Sequence, residues 1–224
     1  MAAAGPTLDD SLERIGELQL AAGASVVAVD AAFIPLMRAG IVPDYVVSLD
    51  PKETVLPFYE IDLAAAAGTT LVYFPSVHPR VVRHWPHRRC RACTRHPRFD
   101  EIRRRFPAAS LFASGSVVHP AIDLAVRLGA ADIHLAGADF GFPARLTHAS
   151  GSRYATRLET AWAQDESSVR NYRGEKVRSL ASFVSYYRDL EAYIASPAVA
   201  GRRFFSLSDK SARLHGVQPE GRAA

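Results

Sequence analysis

Asp139, His148 and Tyr154 follow one another closely in the chain, downstream of a small-residue turn, Ser114-Gly115-Ser116. These residue types suit group transfer. An imidazole, which titrates near pH 6.5 when unperturbed, accepts a proton at neutral pH. A short acid placed after a strand and a glycine reaches neighbouring backbone amides. A glycine turn at a helix amino terminus presents N–H groups that lack partners, a ready site for a phosphate. Further candidates lie upstream. Gly5-Pro6-Thr7 is a second such turn, and Asp30 and Asp50 each end an apolar run. Taken singly, each is more simply read as turn punctuation, a loop acid or a helix start. Taken together, they point to a site.

The elements that must position these residues are legible. After the turn, Val117, Ala121, Leu124, Ala125 and Leu128 recur at helical steps until Gly129. Ile133-His134-Leu135-Ala136 reads as a strand that runs into Gly137-Ala138-Asp139-Phe140-Gly141. Ser25-Val26-Val27-Ala28-Val29-Asp30 has the β-branched character of a strand buried on both faces. A short helix over residues 31–39 is broken at Gly40, and a strand over residues 44–50 ends at Pro51. Strands are also expected over 69–74 and 203–208, and a helix over 177–195. After Gly5-Pro6-Thr7 comes an amphipathic helix with Thr7 or Asp9 as its cap.

This alternation predicts an α/β, Rossmann-like doubly wound fold, with a mostly parallel sheet and helices on both faces. Ligands lie at the carboxyl ends of the strands in such sheets, so both glycine turns and the acids would share one edge. Residues 1–4 are short for a first strand. That strand is expected to be missing or stunted, the chain being a fragment or its start being placed too late. One domain is expected over residues 1–224, with a basic insertion at about 80–105 and a flexible tail at about 218–224.

Composition narrows the classes. With 224 residues and 48% hydrophobic content, the chain can bury one full α/β core. No apolar run approaches the roughly 20 residues that cross a bilayer, and no signal-peptide pattern is present, so a cytoplasmic protein is expected. Residues 80–105 carry ten arginines against two acids, leaving the remainder mildly acidic although the whole chain is +4. Such a segment suits an acidic ligand, partner or lipid surface, or simply solubilises the chain. Its possible stacking residues, Trp85 and Phe99, are too few for a nucleic-acid groove, so no nucleic-acid partner is favoured. His87, Cys90, Cys93 and His96 are ligand types at steps of three. On one helix the outer pair would stand roughly 13 Å apart, far beyond a shared zinc ion. A basic surface loop without metal is expected there.

The stretch Ser114-Gly115, Leu128-Gly129, Ile133, Leu135, Gly137 and Asp139-Phe140 resembles the bacterial sialyltransferases that use a cytidine-monophosphate-activated nine-carbon sugar. The form GADFGFPARLTHASG is still more similar to the motility accessory factor glycosyltransferases, a domain grouped with the archaeal 6-hydroxymethylpterin pyrophosphokinases. The resemblance extends to Asp30, Gly40 to Asp44, Ser48-Leu49-Asp50 and the closing Ser-x-x-Ser-Ala-x-Leu-x-Gly.

The resemblance implies transfer of a nonulosonic sugar from a CMP-sugar donor to a protein or glycan hydroxyl, with flagellin as a possible acceptor and no cofactor required. Gly5, Pro6, Thr7, Asp30, Asp50, Ser114, Gly115 and Ser116 would then face the nucleotide. His148 would be the acceptor base, Tyr154 would donate to the leaving phosphate, and Asp139 would orient the loop or the imidazole. Departures exist. Ala4 stands where the sialyltransferases carry an asparagine, Gly141 where they carry their first tyrosine, and their histidine has no counterpart near Gly174 to Lys176. The alternative is a pterin pyrophosphokinase using ATP and Mg²⁺, which would need an acidic cluster where this chain has only Ser48-Leu49-Asp50-Pro51. A non-catalytic nucleotide- or nucleic-acid-binding module is the second alternative.

Overall fold

The computed structural model describes residues 1–157 and 167–221. Five short strands pair in parallel in chain order: β1 (Val27–Val29), β2 (Tyr45–Ser48), β3 (Thr70–Tyr73), β4 (Arg89–Cys93) and β5 (Ala109–Ser110). A second parallel group sets β9 (Arg203–Ser206) between β6 (Asp132–Leu135) and β10 (Val217–Pro219). All three residues of β1 are buried, as its unbroken apolar run requires.

Residues 1–4 join the two groups. Ala2 bridges in parallel to Ala28 on one side and to Ala136 on the other. Ala2 N donates to Val27 O at 2.8 Å and Ala3 N to Ala136 O at 2.8 Å, while Ala2 O and Met1 O accept from Val29 N and Ala136 N. The first strand is therefore stunted but present, and it holds the central position. Three alanines suffice because the ladder bonds on both flanks satisfy the backbone, and small side chains let layers of helix close over both faces.

The sheet changes direction at this centre. From β1 the chain steps outward to β5, and then α5 (Val118–Arg127) carries it back across to β6. α2 (Asp30–Arg38) packs on β1 and β2, and α5 also packs on β1. The carboxyl ends of the central segment, β1 and β6 thus meet at the switch point where this kind of sheet binds ligands.

Three sequence expectations need correction. Residues 80–105 are not a surface loop or an insertion. They supply most of α3 (Pro79–His84), all of β4 and α4 (Asp100–Arg105), and Trp85 is 2% exposed between the rings of Phe33 and Tyr59. Within them His87 Nε2 lies 2.6 Å from Leu63 O, Cys90 is exposed and Cys93 buried. Among the described residues no three His, Cys, Asp or Glu side chains gather as a metal-ligand set.

The helix expected over 177–195 begins only at Ala181, as α6 (Ala181–Ile194). Val177 belongs instead to an antiparallel hairpin of β7 (Ser168–Arg170) and β8 (Lys176–Arg178). The tail expected from residue 218 contributes Gln218 and Pro219 to β10, while residues 222–224 lie outside the described residues. No helix among the described residues is long and apolar enough to cross a membrane.

Candidate functional site

A cavity of about 390 Å3 opens at the switch point. Its floor is the end of the central segment, Ala4 and Gly5, with the strand exits at Asp30 and Asp50 beside it. The opposite wall is the Gly115 to Val118 turn, and the loop from Gly137 to Gly141 with His148 closes a third side. Phe58, Phe183 and Tyr186 add aromatic surface.

Asp139 is buried, and both its oxygens are committed to the first glycine turn. Thr7 N donates to Oδ2 at 2.9 Å and the Thr7 hydroxyl donates to Oδ1. A Cβ on Gly5 would lie 2.4 Å from Asp139 Oδ2 and 2.5 Å from Gly137 O, so only glycine allows this approach. The turn continues as a 3-10 helix, Pro6–Ser11, whose Gly5 cap makes no side-chain bond. Thr7 is thus not the expected cap, and Asp9 instead accepts from Ser150 N at 2.8 Å. Burial pushes the Asp139 carboxyl up to about 7. The next residue, Phe140, sits at φ 43, a left-handed conformation costly for an aromatic residue.

His148 does not bond Asp139. Its Nδ1 lies 3.1 Å from Tyr154 O, a carbonyl that can only accept, so Nδ1 carries the proton and Nε2 keeps its lone pair. Burial holds this imidazole below its ordinary pKa, which keeps it neutral at pH 7. The Tyr154 phenol is turned away from the cavity. It donates to Thr54 O at 2.8 Å, and its ring meets Phe58 edge-on at 5.3 Å. Tyr154 therefore braces Phe58 and, through its carbonyl, His148. Its hydroxyl is not aimed at a leaving group.

The second glycine turn is held from behind. Ser114 is not in the cavity wall; its hydroxyl donates to Asp189 Oδ2 on α6 at 2.7 Å. His119, fully buried, accepts from Ser114 N at Nδ1 (3.3 Å) and must then donate from Nε2 to Tyr186 O (2.9 Å). Burial lowers its pKa and favours that neutral form. Gly115 takes φ 81, and a Cβ there would lie 2.3 Å from Tyr186 Cε1. The turn and α6 are fitted to each other, leaving the amides at the start of α5 beside the cavity.

Asp30 opens α2 and is buried. It accepts from Ala31 N at 2.9 Å and from Ser48 Oγ at 2.8 Å, and burial raises it to about 6. Asp50 is half-buried and accepts from Lys52 N at 2.9 Å. No Lys or Arg is among the described residues lining the cavity. Gly141, where the sialyltransferases carry a tyrosine, faces the hairpin, and a Cβ would lie 2.8 Å from Arg178 O. A tyrosine has no room there.

The structure therefore brings Gly5, Asp30, Asp50, Gly115, Ser116, Asp139 and His148 to one cavity, with Pro6, Thr7, Ser114 and Tyr154 supporting it from outside. Sequence reasoning missed His119, Asp189, Tyr186, Phe58 and Phe183. His119 had a signal, a histidine on the first turn of the helix that follows Ser114-Gly115-Ser116. Asp189 had none, since only folding brings α6 to the turn.

Residues 1–145 match the family described as 6-hydroxymethylpterin diphosphokinase MptE-like. The chain belongs to that family. The MptE-like match contains both glycine turns, Asp30, Asp50 and Asp139, whereas His148, Tyr154 and the bracing helix α6 lie beyond it. The solved structure of the MAf glycosyltransferase from Magnetospirillum magneticum AMB-1 superposes with a TM-score of 0.71 at 22% identity. The likeness covers 98% of this chain and 33% of that one, so the fold is shared and the chain spans about a third of its neighbour's length. A search of curated proteins gives no match.

Proposed function

We propose that this MptE-like chain is a glycosyltransferase that moves a nonulosonic sugar from a CMP-sugar to a protein or glycan hydroxyl, as in flagellin glycosylation. The observation that carries the reading is the pairing, across one cavity, of the α5 turn amides with a neutral imidazole whose Nε2 is unprotonated. In this reading the amides of Gly115, Ser116 and Val117 take the nucleotide phosphate, Val118 N already donating to Ser116 Oγ, and Phe58, Phe183 and Tyr186 flank the base or sugar. The acceptor hydroxyl gives its proton to His148 Nε2 as its oxygen attacks the anomeric carbon, and the sugar–phosphate bond breaks toward the amides. The reaction needs no cofactor and takes place in the cytoplasm.

A second reading, diphosphate transfer from ATP with Mg²⁺, draws on the family description and on Asp30 and Asp50 in the same wall. The donor set fits it poorly. Mg²⁺ on a polyphosphate takes one or two carboxylates, and here Asp30 is held by hydrogen bonds at both oxygens, which leaves Asp50 as the less committed acid of the wall. Titration calorimetry with CMP, and with ATP plus Mg²⁺, separates the two. CMP binding with no ATP–Mg²⁺ binding supports the first; the reverse replaces it with the second.

A further inference from the structure

The basic segment contains a groove that the proposed reaction does not use. Arg80, Arg83 and His84 stand at i, i+3 and i+4 on α3, one side of the helix, and line a cavity of about 390 Å3. The opposite wall is the 3-10 helix Glu53–Tyr59, which presents Leu56 and Tyr59. The groove's acid, Glu60, is exposed and lies 3.6 Å from Arg153. Neither Arg80 nor Arg83 has a carboxylate partner among the described residues. Like charges one turn apart disfavour a helix slightly, and a bound anion would offset that. Further along the segment Arg88 is exposed, and Arg89 donates to Val82 O at 2.7 Å and has no carboxylate partner among the described residues.

We propose that this groove binds an acidic polypeptide segment, its carboxylates paired with Arg80 and Arg83 and an apolar side chain seated on Leu56. Two observations favour a peptide over other polyanions. Among the described residues the aromatic ring lining the groove is Tyr59, which is buried and not free to stack a base. Among the described residues the exposed large hydrophobics, Leu20, Val42, Phe106 and Leu128, lie outside the groove, so its lining offers no exposed large apolar side chain to enter a bilayer. The site also has a meaningful neighbour. The Glu53–Tyr59 helix is a shared wall, with Phe58 in the switch-point cavity and Leu56 in the groove. A bound segment would lie one helix away from the candidate active site. The inference concerns binding alone and stands whether or not that cavity transfers a sugar.

The test is fluorescence anisotropy on the full chain with a dye-labelled peptide of alternating Asp and Glu around a central Leu. Its Asn/Gln counterpart, a single-stranded oligonucleotide and phosphatidylserine-containing vesicles serve as further arms. The acidic peptide should bind, weaken with salt, and lose about tenfold or more in affinity with Arg80→Glu/Arg83→Glu. Leu56→Ala should weaken the Leu peptide and leave a Leu→Ser peptide unchanged. Both arginines are exposed, and Arg80→Gln/Arg83→Gln repeats the test without charge reversal; circular dichroism checks the fold of each variant. Equal binding of the Asn/Gln peptide, unchanged affinity in a folded double variant, or tighter binding of the oligonucleotide or vesicles through the same arginines would overturn the proposal.

Discussion

His148 is held by a backbone carbonyl, and this has a kinetic consequence. Because Tyr154 O fixes the Nδ1 proton, any peptide-bond acceptor at residue 154 serves equally well, and Tyr154→Phe should leave the base intact. Removal of the imidazole by His148→Ala should lower turnover about 10²–10⁴-fold, the usual worth of a positioned base, while CMP affinity stays the same. Steady-state kinetics beside calorimetry reads both quantities. Burial depresses the imidazole's pKa, so the rate should fall on the acid side only below the ordinary histidine value and stay level through neutrality.

The second residue-scale prediction concerns Asp139. Its carboxyl is raised from 3.8 to about 7, so the folded state binds a proton that the unfolded chain has released. That contribution is complete below about pH 4 and is lost as pH rises toward 7. Asp139→Asn keeps the geometry toward Thr7 and should flatten the decline in stability between those limits. A residual slope should remain from Asp30, which is raised to about 6. Urea denaturation across pH 4 to 8 measures it. A variant with the parent's slope would show that Asp139 is ionised throughout.

At the level of elements, the site is a fit between a turn and a helix. α6 braces the Ser114 to Ser116 turn three times, through Asp189, the Tyr186 carbonyl and the Tyr186 ring against Gly115. Gly115→Ala meets both obstacles at once, a left-handed φ and a ring 2.3 Å from the new Cβ. It should cost about 1–3 kcal/mol and abolish CMP binding as the turn swings away. Adding Tyr186→Ala removes the collision but not the strain, and should recover only part of the stability. Ser114→Ala should cost about 1.5–3 kcal/mol for one lost hydrogen bond to a charged partner, with CMP affinity reduced rather than abolished. Thermal melts with and without CMP distinguish these cases.

For the molecule as a whole, the decisive correction is the basic segment. Eight of its ten arginines are exposed while Trp85, Val81, Ala92 and Cys93 are in the core, so the segment is amphipathic in the way of any strand-and-helix unit. Trp85→Ala should cost about 3–5 kcal/mol in chemical denaturation, the range for truncating a buried large aromatic. Excision of residues 80–105 should unfold the protein, because β4 stands between β3 and β5 and its removal orphans two edges. A truncated chain with the parent's melting temperature would restore the view of this segment as an appendage.

What the sequence determined by itself was periodicity and punctuation. The β-branched run before Asp30, the helical steps from Val117 to Leu128 and the glycines at 5, 115 and 137 established the fold class and the edge at which the site lies, because those patterns act over a few residues. Composition misled at residues 80–105, where a count of charges says nothing about which way each side chain turns. Shortness at residues 1–4 pointed to a stunted first strand, and only the fold shows the ladder bonds on both sides that give those residues the work of a longer one. The partners of the site residues were decided only in three dimensions. Asp139 binds Thr7, Tyr154 reaches Thr54, and Ser114 meets Asp189, across 132, 100 and 75 positions of chain. A hydrogen bond needs its donor and acceptor within about 3 Å, and no local pattern encodes which distant carboxylate or carbonyl the folded chain will bring that close.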